Sequence, residues 1–580
     1  MEKILKRRAG VLVPLFSIYS DDSLGVGDLE DLKLLIDWCA KTGYSIIQLL
    51  PMSEVGSTFC PYDSISSFAL EPMYMRLKPF GSGKAPVAQE RSSRVDYRMK
   101  EEKLRILWDS YTKEKSVASN KEFSLFVEDN SYWIDDYSIF KALKSYHNQA
   151  PWYEWNDGYK DRDNYVIEQF KKEHKIELDF YKWIQWILFK QFRDVKKHAE
   201  LKKVLIKGDL PILVSRDSAD VWAHPDFFKL EFAAGAPPDM YCAKGQRWGM
   251  PTYNWDYIKA DEFIYIKEKL KYAQNFYDIL RIDHVVGLFR IWSIPCNEPM
   301  ENQGLNGFFD PGDENVWGSH GRDLLSVFQE NTSIALCAED LGIIPKVCRD
   351  TLADMGIPGN DVQRWMKDWQ VSHDFLKPDG YRKLSAAMLS THDTTNWAAW
   401  WENEAGTVDE ELFIRKCNER GIDYRTVKER FFCPDRSKHG RLRWREDVAS
   451  VERYIEILGK RPEELRDFIE LYENTYLEKE KLWKGLELKG PMREKCDAKI
   501  MRAALDITAS SSSIFCIELI FDLLSLADLY KEDPYKCRVN FPGTVSPQNW
   551  SLKIPISLEE LSNHKINKDL KEILTVSGRI

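Results

Sequence analysis

Three acidic residues each stand at the end of a short apolar run. Asp283 ends Ile279-Leu280-Arg281-Ile282, Glu339 ends Ile334-Ala335-Leu336-Cys337-Ala338, and Asp393 follows Ala386-Ala387-Met388-Leu389-Ser390-Thr391-His392. Two carboxylates and a third acid are common equipment for breaking glycosidic bonds. In Arg281-Ile282-Asp283-His284, the period of two in an extended strand puts Arg281 and Asp283 on one face. A guanidinium lowers the pKa of a neighbouring carboxylate and keeps it ionised, as a nucleophile requires. The same tetrapeptide fits a buried structural ion pair equally well. In Ala338-Glu339-Asp340-Leu341-Gly342, burial and a second acid would raise the pKa of Glu339. That suits a general acid that later serves as base, although an acid opening the next helix reads the same way. In Thr391-His392-Asp393-Thr394-Thr395, His and Asp could bind substrate hydroxyls and stabilise positive charge, or Asp and Thr could cap a helix. His284 and His392 beside carboxylates also raise a divalent ion. The chain has no His-x-His and no His-Glu-x-x-His, so no metal is expected.

These runs are too short for helices and suit buried parallel strands. The acids lie 56 and 54 residues apart (283 to 339 to 393), which leaves room for one or two strand–helix units between them. Eight candidate strands emerge, over 11–16, 46–50, 204–214, 279–282, 334–338, 362–365, 386–391 and 514–517. Helical patterns accompany most of them, such as 29–41 and 263–277. Alternating strands and helices imply a parallel sheet. Acids at the C-terminal ends of such strands describe an α/β barrel active site. The expected fold class is therefore α/β, a (β/α)8 TIM barrel, with residues 1–580 as one catalytic unit. Insertions are expected at 85–200 (helical), 215–260 (an active-site loop subdomain) and 405–500 (helical, with a long charged helix over 463–489).

The 580 residues are 43% hydrophobic and 30% charged, the mark of a soluble globular chain. A net charge of -10 argues against nucleic acid or an anionic membrane as partner. No apolar segment approaches the ~20 residues that span a bilayer. The 11 cysteines are odd in number and contain no Cys-x-x-Cys pair. That argues against a disulfide framework or structural zinc and for a reducing compartment. The apolar stretch 10–16 is short and broken by Pro14, so it reads as a first strand, not a signal peptide, and a cytoplasmic location is expected. Aromatic residues reach 13%, with 20 Trp and 26 Tyr. Most belong to cores, and a few suit stacking on sugar faces.

Two further segments are long enough to be specific. One is Cys60-Pro61-Tyr62-Asp63-Ser64. The other runs from Gly208-Asp209-Leu210-Pro211-Ile212 through Asp217-Ser218-Ala219-Asp220-Val221-Trp222 and Pro237-Pro238-Asp239 to Gly245-Gln246-Arg247-Trp248-Gly249. Rings with nearby amides and acids suit polysaccharide handling. Together with Arg538-Val539-Asn540-Phe541-Pro542-Gly543, these segments closely resemble the 4-α-glucanotransferases, also called amylomaltases or disproportionating enzymes. These form glycoside hydrolase family 77 of the α-amylase clan, and the resemblance spans about residues 10–550.

The resemblance implies a barrel with inserted, mainly helical subdomains and no C-terminal β-sandwich. It implies retaining transfer of α-1,4-glucan segments through a covalent glycosyl-enzyme, with no metal or organic cofactor. By position, Asp283 is similar to the nucleophile, Glu339 to the acid/base and Asp393 to the transition-state stabiliser. Arg281 matches the arginine that orients the nucleophile, and His392 a substrate-binding histidine. His284 and Asn540 join the substrate-binding set. Tyr62, Asp239, Gln246 and Trp248 match residues lining donor and acceptor subsites, and 239–248 resembles a flexible loop over the active site. A retaining pair places its carboxyl groups about 5–5.5 Å apart. The expected partners are maltodextrins, with glycogen or starch as further candidates. The chain departs from the usual pattern at Thr394-Thr395, where Asn is usual, and in the short segment 230–236. Its opening at 13–17 and 25–28 is closer to plant cytosolic members, which carry N-terminal starch-binding modules absent from this sequence. Three other readings compete: a plain α-glucan hydrolase on the same scaffold, a non-catalytic glucan binder, and a metal-dependent barrel hydrolase.

Overall fold

Eight short strands pair in parallel in the computed structural model: β1 (Arg8–Leu12), β2 (Ile46–Gln48), β3 (Leu205–Leu210), β4 (Ile279–Ile282), β5 (Ala335–Ala338), β6 (Gly359–Val362), β7 (Ser385–Met388) and β8 (Phe515–Leu519). The structure describes residues 4–80, 92–114, 120–239, 242, 244–530 and 533–580. Parts of two expected insertions, residues 85–91 and 115–119 in one and 240, 241 and 243 in the other, lie outside the described residues. The spatial order is β5-β4-β3-β2-β1-β8-β7-β6. β1 pairs with β8 from Arg8↔Phe515 to Leu12↔Leu519, joining the first and last strands of the sequence. Across the remaining seam, between β5 and β6, the Ala338 N–H donates to the Pro358 carbonyl at 2.8 Å. The strands are apolar on both faces, with Val11, Ile46, Ile206, Ile279, Ala335 and Phe515 almost wholly buried. That is the pattern of a parallel sheet covered by helices, and the fold is a (β/α)8 barrel.

Four expected elements shift most. The strand expected at 11–16 lies earlier, at Arg8–Leu12, and Leu15–Ser17 forms a single helical turn. The strand expected at 362–365 lies earlier, at Gly359–Val362, and Gln363–Trp365 forms a single helical turn. Gly359 looks like a turn residue in sequence. Here it is required because the Asp340 carboxylate comes within 2.4 Å of where a Cβ would stand. The strand expected at 204–214 stops at Leu210, because Pro211 has no N–H for a ladder. The helix expected over 463–489 is three pieces, Pro462–Glu464, Arg466–Thr475 and Glu478–Gly485. The chain turns at Leu477, whose φ is +53°.

Between β2 and β3 run the helices Arg98–Lys113, Lys121–Asp129, Ser131–Tyr146, Asn164–Glu173 and Lys175–Lys202. Their Trp133, Tyr137, Phe140 and Trp183 share one core with the barrel. Between β7 and β8 a second core forms around Phe413, Phe431, Tyr454 and Phe468, separate from the first. A third addition was not legible as regular structure in the sequence. Phe308–Asp310, Ile291–Pro295, Phe232–Ala236 and Gln246–Arg247 pair as an antiparallel sheet in that order. Gly235 sits where a Cβ would fall 2.1 Å from the Gln246 carbonyl, so only glycine lets these two strands meet. The last residues also carry structure: Ser557 and Glu560 form a capping box before Leu558–Asn563. Among the described residues, no helix is long and apolar enough to cross a membrane.

Candidate active site

Parallel pairing sets Asp209 of β3 opposite Arg281 of β4. Arg281 Nη1 donates to both Asp209 oxygens, at 2.7 and 2.8 Å, and to Asp283 Oδ1 at 2.8 Å. Tyr62 Oη donates to Asp209 Oδ2 at 2.7 Å. One buried carboxylate thus orients the guanidinium that faces Asp283, and it holds the Tyr62 ring as well. Asp209 belongs to a segment singled out in the sequence but received no role there. The signal was present, since Asp209 is an acid near the end of an apolar run like the other three.

The turn after β4 links the next acid. His284 adopts a left-handed φ of +42° and aims its backbone N–H at Glu339 Oε2, at 2.8 Å. The Leu341 N–H donates to Glu339 Oε1 at 3.1 Å. Asp283 and Glu339 therefore stand at the ends of adjacent strands, with the Glu339 carboxylate bonded to the residue beside Asp283. Burial raises Glu339 to about 7 against the pull of Arg281, and Asp283 adds to the rise. Burial also raises Asp283, to about 6, again against Arg281, with Asp209 adding to it. Arg281 pulls Asp283 down, as expected, but burial outweighs that pull. Arg281 divides its charge between two carboxylates. The Asp283 side chain still keeps 23% of its surface open. His284 itself is pushed down to about 4, by burial and then by Arg281 and Arg290, so its ring is neutral near pH 7.

Asp393 follows β7. Burial would raise it, but His392, the Asn540 side chain and Arg281 outweigh burial and hold it at about 2. His392 Nε2 lies 3.1 Å from Asp393 Oδ2, and Asn540 Nδ2 donates to Asp393 Oδ1 at 2.7 Å. Arg538 Nη2 donates to the Asp393 carbonyl at 3.0 Å. Thr394 closes this turn, its Oγ1 accepting the Thr391 N–H at 3.1 Å. The His392 ring stacks on Tyr62 at 5.2 Å and 14°. Both rings tilt against Trp550, at 5.9 and 6.0 Å. His392 is buried, and its Nδ1 has no hydrogen bond among the described residues. Arg538 and Trp550 received no role in the sequence. Arg538 lies two residues before Asn540, in a segment the sequence already marked, whereas Trp550 stands apart and gives no spacing signal.

The antiparallel sheet carries the remaining predicted residues. Trp248 donates its N–H to the Ala234 carbonyl at 2.9 Å and sets its ring edge-on to His284, with centroids 4.8 Å apart. Gln246 Oε1 accepts from Trp248 Nε1 at 3.0 Å. Asp239 Oδ1 accepts the Cys242 N–H at 2.7 Å and shapes the loop that leads into the strand. Tyr62, Asp209, Arg281, Asp283, His284, Glu339, His392, Asp393, Asn540 and Trp248 are thus joined by direct contacts. Asp239 and Gln246 bond within the loop and its sheet. Among the described residues, no group of three or more His, Cys, Asp or Glu side chains could hold a metal ion. The arrangement offers two adjacent buried carboxyls that burial pushes above their ordinary range, with Arg281 bonded to Asp283, and a third that His392 and Asn540 keep ionised.

A sequence profile of the family described as 4-alpha-glucanotransferase matches residues 13–558. A 4-alpha-glucanotransferase of Chlamydia pneumoniae is 33% identical over 98% of this chain and 95% of its own length. One of Clostridium butyricum is 30% identical over 68% of this chain and 82% of its own. Among solved structures, an amylomaltase from Streptococcus agalactiae in complex with acarbose superposes with a TM-score of 0.71 at 22% identity. That match covers 99% of this chain and all of the other.

Proposed function

Because the chain belongs to the 4-alpha-glucanotransferase family, we propose that it transfers α-1,4-glucan segments between maltodextrin chains by double displacement at the mouth of its barrel. The observation that carries this reading is the geometry of Asp283 and Glu339 at the ends of adjacent strands, with Arg281 Nη1 on Asp283 Oδ1 at 2.8 Å and the His284 N–H on Glu339 Oε2 at 2.8 Å. Burial raises both carboxyls, and the guanidinium of Arg281, hydrogen-bonded to Asp283, favours the ionised form of Asp283. Near neutral pH Glu339 can donate a proton while Asp283 attacks.

Glu339 protonates the glycosidic oxygen as Asp283 Oδ attacks the anomeric carbon. The C–O bond to the leaving chain breaks and a glycosyl ester forms on Asp283. Glu339 then removes the proton from a 4-hydroxyl of an incoming glucan. That oxygen displaces Asp283, and two inversions leave the configuration retained. Asp393 keeps its charge throughout and faces the positive charge that develops on the sugar. His392 Nδ1 and Asn540 supply polar groups for sugar hydroxyls, and Tyr62 and Trp248 supply rings. Trp248 closes one side of the site, which favours a sugar acceptor over water. The 11 free cysteines support a reducing compartment such as the cytoplasm.

The test is product analysis with Asp283→Asn and Glu339→Gln. Loss of transfer in both, with folding intact, supports the assignment. Transfer that persists in Asp283→Asn removes it.

A further inference from the structure

Of the eight seams in the barrel, the one between β5 and β6 has no paired register among the described residues, and it lies directly beside Glu339. We propose that Arg382 is a positioning residue for Glu339, acting as a clamp that ties this seam through Asp340; the inference rests on Glu339 being the acid/base.

The geometry begins at Asp340, the residue after Glu339. Its Oδ1 accepts the Asn360 N–H at 2.7 Å. In a parallel ladder that N–H would find a carbonyl of the neighbouring strand. Here a side chain takes that place, so the end of β5 is fixed to β6 by Asp340. The Asp340 side chain is only 1% exposed, and a buried carboxylate without a counter-charge is costly. Arg382 supplies the charge. Its Nη1 donates to Asp340 Oδ2 at 2.5 Å and its Nη2 to Asp340 Oδ1 at 3.3 Å. The same guanidinium reaches β6, with Nε donating to Asp361 Oδ1 at 2.7 Å and Nη2 to the Asn360 carbonyl at 2.7 Å. Its backbone N–H adds a bond to Asp361 Oδ2 at 3.0 Å. One planar fork therefore spans three partners, which an ammonium cannot do.

Glu339 is coupled to this clamp through the backbone. Leu341, on the far side of Asp340, donates its N–H to the Glu339 carboxylate. Any slip of Asp340 moves both the Cα of Glu339 and one of the two donors that hold its side chain. The charges facing Glu339 are Arg281 and Asp283 from β4, Asp340 beside it in its own loop, and the Cys348 thiol from the helix Lys346–Asp354. Asp340 favours the protonated form of Glu339. Arg382 keeps 40% of its side chain exposed, so it can be replaced without opening a core.

The experiment compares Arg382→Met, Arg382→Lys and Asp340→Asn with the unaltered enzyme and with Glu339→Gln, on maltotriose, recording kcat, KM, Tm and the pH profile. The clamp predicts that Arg382→Met lowers kcat on the order of 10- to 100-fold, the scale of small misplacements of a reacting group, with KM within about twofold. Arg382→Lys recovers part of the loss. Asp340→Asn moves the alkaline limb of the pH profile downward, because a negative neighbour of Glu339 is removed. An Arg382→Met enzyme that loses Tm but keeps kcat would overturn the proposal, as would an unmoved alkaline limb in Asp340→Asn. If Arg382→Met does not fold, kcat of Arg382→Lys and the limb of Asp340→Asn decide by the same criteria. Activity retained by Glu339→Gln would instead remove the acid/base reading on which the clamp depends.

Discussion

At the level of single residues, three carboxylates of one site are held in different states by their neighbours. Asp393 is ion-paired with His392, hydrogen-bonded to Asn540 and held at about 2, while burial raises Asp283 and Glu339. Transfer needs Asp283 without its proton and Glu339 with one. The account predicts a narrow bell for kcat/KM on maltotriose, rising near pH 6 and falling above pH 7, with both limbs belonging to the coupled pair. A profile flat to pH 9 would contradict it. The same shift has a consequence for stability. Glu339 is raised above its ordinary 4.5, so the folded state holds a proton that the unfolded chain has released. Its contribution is full below about 4.5 and is lost as pH rises through about 7. Glu339→Gln is therefore expected to raise Tm relative to the unaltered enzyme at pH 8, with a smaller gap at pH 5. Asn540→Ala removes a hydrogen bond to a charged group, worth ~1.5–3 kcal/mol, and should lower kcat on the order of 10- to 100-fold without a matching fall in Tm. The three acids were legible in the sequence because each ends an apolar run. The rise of Asp283 was not, because it depends first on burial and then on Asp209, from another strand, sharing the same arginine.

At the level of elements, the site is made by strand ends and by the connections that follow them. Parallel register alone sets Asp209 against Arg281. The left-handed turn at His284 ties β4 to Glu339 after β5. The strand at 279–282 was readable to the residue because it is apolar and short. The strand at Gly359–Val362 was not, since Gly359-Asn360-Asp361 carries none of the usual strand residues and is fixed by Asp340 and Arg382. The antiparallel sheet bearing Trp248 was likewise hidden, because Phe232–Ala236 is rich in Ala and Gly and pairs with a partner some sixty residues away, at Ile291–Pro295. Trp248→Ala should open the site beside His284 and raise the share of hydrolysis over transfer, read as free glucose and maltose without longer products. An unchanged ratio would show that Trp248 does not exclude water.

At the level of the whole molecule, the barrel and the helices between β2 and β3 share one core, whereas the residues around Phe413, Phe431, Tyr454 and Phe468 form their own. Phe413 is fully buried there. Phe413→Ala should cost ~3–5 kcal/mol and speed amide exchange within 408–472 while β3, β4 and β5 stay protected. Uniform loss of protection would mean that the two cores unfold as one. The alternation of strands and helices made the barrel readable. The separate core was not, because its residues are spread through charged helices that look alike in sequence. The most direct measurement of the central claim is incubation of the protein with maltotriose and separation of the products by chain length. The account predicts glucose together with a ladder of longer maltodextrins, lost in Asp283→Asn. Glucose and maltose alone, or a ladder that survives Asp283→Asn, would contradict it.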